Sequence, residues 1–109
     1  MNITVTEQDN ICILALNGRM DATTVSSFEE VCKENLDKSF KKIVVDMSAL
    51  EYISSAGLRG ILLMEKTSKV KQIPLVFFGL QSMVYEVFKI SSFLSILKIC
   101  TTKEEALSV

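Results

Sequence analysis

The opening stretch NITVTE alternates apolar and polar residues, the period-two pattern of a strand with one covered face. EQDN supplies turn formers and ICILAL follows as a second apolar run, so residues 2–16 predict a hairpin. NGRMD breaks that pattern. Asp21 is placed to cap a helix, and Val25, Phe28, Cys32 and Leu36 recur at helical spacing through ATTVSSFEEVCKENLDK. KIVVDM is apolar and β-branched without alternation, which predicts a strand covered on both faces. SSAGLRGILLMEKTSKV returns to helical spacing through Leu58, Ile61 and Leu62, and PLVFFG predicts another doubly covered strand. QSMVYEVFKI sets Met83, Val84, Val87 and Phe88 on one helical stripe, and SILKIC predicts a last short strand. TTKEEAL fits a capping box, with Thr102 as cap and Glu105 reaching back. Two strands followed by alternating helices and strands call for a single α/β domain over residues 1–109. Its sheet is mixed and mostly parallel, with an N-terminal hairpin and flanking helices.

Composition narrows what such a domain can do. At 109 residues, 49% of them apolar, with one proline and four glycines, the chain has the size and character of one folded domain. A formal net charge of −1 gives no basic excess to neutralise phosphates, so neither nucleic acid nor an anionic membrane surface is an expected partner. No apolar run is long enough to cross a bilayer, and MNITVTEQDN does not read as a secretion signal. Cys12, Cys32 and Cys100 are odd in number, widely spaced and set in apolar sequence. They suit buried thiols in a reducing compartment better than disulfides or a metal site, so the expected location is cytoplasmic. The chain has no histidine, which excludes Ser-His-Asp and Cys-His catalysis and the commonest zinc-ligand sets. Ser39–Lys42 and Ser95–Lys98 have the Ser-x-x-Lys spacing, but neither falls at a strand-to-helix elbow. The expectation is a non-enzymatic chain with no cofactor and no metal, monomeric on its own.

The stretch YISSAGLRG, residues 52–60, places two hydroxyls and a glycine between runs that otherwise read as core. It lies after KIVVDM, where the chain turns into the next helix, and open α/β sheets put their functional loops at such ends. Ser54 and Ser55 fall at or just before the first helical turn, where free N–H groups point outward and the helix dipole is positive. Two readings stand. The serines can simply cap the helix, with Gly57 easing close packing. Alternatively, a small hydroxyl-bearing helix start can hold an anion or carry one covalently as phosphoserine. A nucleotide- or phosphate-binding regulatory module is the competing form of the second reading, although neither Gly-x-Gly-x-x-Gly nor Gly-x-x-x-x-Gly-Lys is present.

DMSALEYISSAGLRGIL resembles the signature of STAS domains, specifically the bacterial anti-sigma factor antagonists. The resemblance rests on the triplet Asp46-Met47-Ser48, on the aromatic Tyr52, and on a Ser-x-Gly-Leu loop that opens a helix. LNGRMDATTVSSFEE and FGLQSMVYEVFKISSFLSIL are similar to further family stretches, so the likeness covers nearly the whole chain. It implies a mixed sheet with flanking helices and a binding module without catalysis. Such a module captures, when unphosphorylated, an anti-sigma factor that is also a serine kinase, and so frees a sigma factor. Phosphorylation of a loop serine then releases the partner, and a serine phosphatase resets the cycle. Carried over, the phosphorylated serine is Ser55, with Ser54 as a rival acceptor. The implied partner surface is Asp21, Ser54, Ser55, Ala56, Gly57, Leu58, Arg59 and Leu62. Leu63 and Met64 widen the apolar stripe of the same helix, at least one of them toward the sheet. The chain departs from the family at Ser54, where aspartate is common, and at Ala56, where a second serine or threonine is common. A STAS module in a signalling complex unrelated to sigma factors remains the other implied reading.

Overall fold

The turn Asp9-Asn10, both residues in the left-handed region with φ of 53° and 63°, joins β1 (Asn2–Gln8) to β2 (Ile11–Met20) as an antiparallel hairpin. The computed structural model describes residues 1–109, and after the hairpin the chain alternates helix and strand. The elements are α1 (Val25–Leu36), β3 (Lys42–Ile53), α2 (Ser55–Lys71), β4 (Leu75–Phe78), α3 (Ser82–Ile90), β5 (Lys98–Cys100) and α4 (Lys103–Ser108). A 3₁₀ turn at Phe93–Ser95 precedes β5. The five strands lie in chain order, β1-β2-β3-β4-β5, and every pair after the hairpin is parallel.

That order decides where the helices go. Each parallel crossover is right-handed and moves one strand further along the sheet, so α1, α2 and α3 all fall on the same face. Alternation in the central strands then sorts the side chains. Cys12, Leu14, Ile43, Val45, Leu75 and Phe77 point into the large core with Phe28, Ile61, Met64 and Phe88. Ile11, Ile13, Val44, Val76 and Phe78 point to the other face, where they meet Cys100 and Ala106 under α4. The doubly covered strands expected from KIVVDM and PLVFFG are therefore present, and Leu75–Phe78 is buried throughout.

Lys42 ties the thin second layer down. Its residue pairs with Ile11, on the face that α4 covers. Its ammonium donates to the carbonyls of Ala106 (3.0 Å) and Leu107 (3.1 Å) and also to that of Val109. Those are last-turn acceptors of α4, which a cation satisfies and complements. Burial lowers the Lys42 pKa from its ordinary value, because desolvation penalises the charged form.

Several boundaries differ from the sequence expectation, each for a physical reason. β2 continues to Met20 rather than ending near Leu16, and β3 to Ile53 rather than Met47, because the two strands keep pairing through Asn17–Ala49 and Arg19–Tyr52. Register shifts at Ala15/Asn17 and Gly18/Arg19 put extra residues into β3, which erases the period-two signal there. α1 begins at Val25 with Thr24 as a cap whose hydroxyl accepts from no N–H of the helix; Asp21 is spent in the preceding turn. In α3 only Val84 and Phe88 are buried, and Met83 is 61% exposed. β5 shortens to Lys98–Cys100 because the 3₁₀ turn takes up Phe93–Ser95. The α4 capping box forms with a shift: Thr102 Oγ1 accepts from the Glu105 N–H, while Glu105 Oε1 reaches past it to the Thr101 N–H.

Two tests follow from this packing. Val45 and Phe77 are adjacent in register and fully buried. Val45→Asp or Phe77→Asp should abolish the cooperative thermal transition seen by circular dichroism, since each buries an unpaired charge. Glu65 is buried against the core with Oε1 lacking any hydrogen-bond partner, and desolvation raises its pKa although Lys69 partly opposes this. The unfolded chain releases that proton at lower pH than the folded one, so stability falls as pH rises through the unfolded value. Glu65→Gln should therefore stabilise the domain in denaturant melts at pH 7, and the gain should vanish below about pH 4.

Candidate functional site

Where β3 ends, the chain must turn sharply to lay α2 back over the sheet, and the turn is fixed by short bonds. Ser54 is extended (φ −94°, ψ 175°) and caps α2. Its N–H donates to the Met20 carbonyl at the end of β2 (2.9 Å), and its carbonyl accepts from the Leu58 N–H (2.9 Å). Its hydroxyl accepts from the Gly57 N–H at 3.3 Å. Ser55 is the first helical residue and is exposed. Its own N–H and that of Ala56 belong to the first turn and lie outside the helix's internal ladder.

Two glycines let the helix come this close. A Cβ at Gly57 would sit 2.9 Å from the Met20 carbonyl oxygen and 2.8 Å from Ile53 Cγ1. A Cβ at Gly60 would sit 2.3 Å from Val25 Cγ2, so this position is where α2 crosses α1. Gly57 and Leu58 are buried and carry the turn from below, while Arg59 is exposed and Ser54, Ala56 and Leu62 are half-buried. Leu63 and Met64 divide as neighbours on a helix should: Met64 is buried and Leu63 is 44% exposed.

Asp21 follows Met20 and so lies beside the turn. Its Oδ1 accepts from the Thr23 hydroxyl (2.7 Å) and the Thr23 N–H (2.9 Å), bonds that hold its carboxyl below the usual aspartate range. Thr24 braces the same loop by donating to the Arg19 carbonyl (2.8 Å) and accepting from the Asp21 N–H (2.9 Å). Beside it the Arg19 guanidinium lies 4.1 Å above the Tyr52 ring, pairing the ends of β2 and β3 by a cation–π contact. The Asp46-Met47-Ser48 triplet is structural. Asp46 Oδ1 accepts from the Ser48 N–H (2.9 Å) and hydroxyl (2.6 Å), and Gln81 Nε2 donates to the Ser48 carbonyl (2.9 Å). These bonds hold the irregular part of β3 against the turn that leads into α3.

Elsewhere the chemistry-bearing groups are occupied or buried. Burial pushes the Cys32 thiol up to about 12 and raises Cys12 and Cys100 as well, so none of them is poised as a thiolate. No three His, Cys, Asp or Glu side chains gather as a metal site, and no helix is long and apolar enough to cross a membrane. The Lys42 ammonium is held on α4, and the Ser95 hydroxyl donates to the Ser92 carbonyl (2.9 Å). Two clefts flank β5. One, of about 520 Å³, includes Glu65, Ile73 and Pro74; the other, of about 560 Å³, includes Leu80, Tyr85 and Ile99. Neither includes a residue of the Ser54–Gly60 turn. The Arg19–Tyr52 stack and the crossing at Gly60 escaped the sequence reading. The Gly57/Gly60 spacing, one helical turn apart, was the available signal for the second.

Comparison with known proteins bears on the family and the fold. The sequence profile of the STAS domain matches residues 2–106. BtrV of Bordetella bronchiseptica, a candidate anti-sigma factor antagonist, is 37% identical over 106 residues, covering 97% of this chain and 91% of that protein. The anti-sigma-F factor antagonist RsfB of Mycobacterium tuberculosis is 29% identical over 59 residues, 54% of this chain and 48% of its own. Among solved structures, a candidate anti-sigma factor antagonist from Thermotoga maritima superposes with a TM-score of 0.88 at 24% identity, over 96% of this chain and 91% of that one. The unphosphorylated anti-sigma factor antagonist SpoIIAA superposes with a TM-score of 0.79 at 16% identity, over 97% of this chain and 93% of that one.

The cap can be tested without any partner. Ser54→Ala should lower stability by an amount near the bottom of the about 0.5–2 kcal/mol range of cap deletions, because the bond it removes is long at 3.3 Å. Chemical denaturation of both proteins measures the difference.

Proposed function

The chain belongs to the STAS domain family, and on that footing we propose that it is an anti-sigma factor antagonist whose docking surface centres on the start of α2. The observation that carries this reading is the Ser54–Gly60 turn. It offers one exposed hydroxyl, Ser55, on a backbone fixed from below by Gly57 and from behind by the Met20 carbonyl. Around it Asp21, Ser54, Ala56, Arg59 and Leu62 have surface to offer a partner, while Gly57 and Leu58 act through the backbone they hold.

In the proposed cycle the unphosphorylated chain captures an anti-sigma factor that is also a serine kinase, and so releases the sigma factor. The kinase transfers the terminal phosphoryl group of a nucleoside triphosphate to the Ser55 hydroxyl: the new P–O bond forms as the bond to the departing nucleoside diphosphate breaks, and the hydroxyl proton passes to a base on the kinase. A seryl phosphate carries about −1.5 to −2 charge at neutral pH. The first-turn N–H groups and the positive end of α2 tolerate that charge within the domain. Across a closed interface the same phosphate is desolvated and left unpaired, which weakens the complex. A serine phosphatase then hydrolyses the phosphoester with water, releasing inorganic phosphate and restoring the hydroxyl. The switch blocks a surface and leaves the fold unchanged. The chain acts in the cytoplasm, takes no cofactor and supplies no catalysis of its own.

Ser55→Ala should retain the anti-sigma factor and become indifferent to its kinase activity. Ser55→Asp should remain folded yet bind the partner at least tenfold more weakly, with about half the charge of a phosphate. Affinity capture of the partner, titration calorimetry with these variants and phosphopeptide mapping check all three points. Phosphate mapped to Ser54, or to neither serine, overturns the assignment. So does robust substrate turnover by the purified chain alone, abolished by a point substitution.

A further inference from the structure

The exposed face of α2 sets unpaired cations beside exposed aliphatic side chains. Ser55, Arg59, Leu63, Lys66 and Val70 are all exposed, and at 3.6 residues per turn they fall within about 80° of arc. Leu63 and Val70 are 44% and 82% exposed on a helix that buries Leu58, Ile61 and Met64 on its other side. Lys69 and Lys71 flank the lower end and are ion-paired to Glu65 and Asp37 respectively, whereas Arg59 and Lys66 pair with no acid. Glu65, the one acid of α2, is buried off this face, where it lines the cleft beside β4. Glu29 of α1 borders the stripe across Gly60, and the exposed acids Glu30, Glu34, Glu86, Glu104 and Glu105 lie on other helices. A chain of net charge −1 thus gathers free cations and bare aliphatic side chains on one face, beginning at Ser55.

We propose that this face of α2, from Ser55 to Val70, docks an acidic surface with an apolar centre on the anti-sigma factor, and that Arg59 is the cation which a phosphate on Ser55 withdraws from it. The proposal rests on the preceding reading of Ser55 and adds the chemistry of the partner and the place where the phosphate acts. Charge complementarity selects the partner: free cations on an otherwise slightly acidic chain steer and orient an acidic surface, while Leu63 and Val70 supply the apolar area to be covered. The same stripe matches nucleic acid poorly, because its cations are interrupted by aliphatic side chains and the chain has no basic excess. Arg59 stands four residues after Ser55, roughly 6 Å along the helix, the spacing at which side chains on one face meet. Its guanidinium fork suits a phosphate in two-point contact. Phosphorylation therefore acts twice on an acidic partner, by adding like charge at Ser55 and by occupying the guanidinium that partner would have used.

The test uses the full chain and the anti-sigma factor recovered by affinity capture and identified by mass spectrometry. Arg59→Glu and Lys66→Glu should each weaken calorimetric binding by about tenfold or more, wild-type affinity should fall with added salt, and Glu34→Lys on α1 should change nothing. These positions are exposed, so circular dichroism should report an intact fold in every variant. Undiminished binding by both stripe variants, or affinity indifferent to salt, overturns the docking face. So does a stripe variant that loses self-association or binding to phosphatidylserine vesicles while keeping the anti-sigma factor. With phosphoserine installed at position 55, ³¹P titration should place the second ionisation of the phosphate lower in wild type than in Arg59→Ala; identical curves remove Arg59 from the switch. The two levels fail separately. A flat charge series with phosphate-dependent release sinks the docking face and spares the switch, whereas a charge-sensitive interface that ignores phosphorylation does the reverse.

Discussion

The candidate site depends on how closely α2 approaches the end of β2. The Ser54 N–H reaches the Met20 carbonyl at 2.9 Å, and a side chain at Gly57 would strike that same carbonyl oxygen. One turn later Gly60 meets Val25 of α1 with no room for a Cβ. The two glycines bring strand end, helix start and neighbouring helix into one rigid corner. They cost helix propensity, roughly 1 kcal/mol each relative to alanine, and the approach they permit offsets it. Ser55 stands exposed on that corner while Gly57 and Leu58 take the buried positions behind it.

The sheet prepares the corner. β3 carries extra residues relative to β2, so the two strands can pair as far as Met20 and Ile53 despite unequal lengths. Asp46 and Ser48 hold one irregular step, and the Arg19–Tyr52 stack holds the ends together. At the opposite end Lys42 anchors α4 over the second face, keeping Val44, Val76 and Phe78 covered. The core is thus lopsided. Three helices build a deep layer on one side, and one short helix closes the other. A partner that docks on α2 meets the deep, rigid side, which suits a surface switched by charge rather than by rearrangement.

Much of the fold was legible in the sequence because its signals are local. KIVVDM and PLVFFG lack alternation because both faces are covered, and Phe28, Cys32 and Leu36 recur at helical spacing because α1 buries one stripe. The YISSAGLRG stretch stood out by composition, and Ser54 caps α2 as serine before a helix should. The misses share a cause. Asn17 to Met20 read as a break because an irregular ladder has no period, and Asp21 read as a helix cap although Thr23 binds its carboxylate. Met83 was placed on one stripe with Val84, Val87 and Phe88, but it lies about 100° round the helix from Val84, at the stripe's edge, and is exposed.

By itself the sequence determined the α/β order, the two doubly covered strands and the place where a hydroxyl-bearing helix start would fall, since periodicity and turn chemistry are written residue by residue. Tertiary structure alone decided what those elements meet. It turned Lys42 onto carbonyls more than sixty residues away, with separations of 64 and 65 positions to Ala106 and Leu107. It left Glu65 buried and Leu63 facing solvent on the same helix. Such facts depend on which surfaces come together across the sheet, and no local pattern records a contact whose partner lies half a chain away.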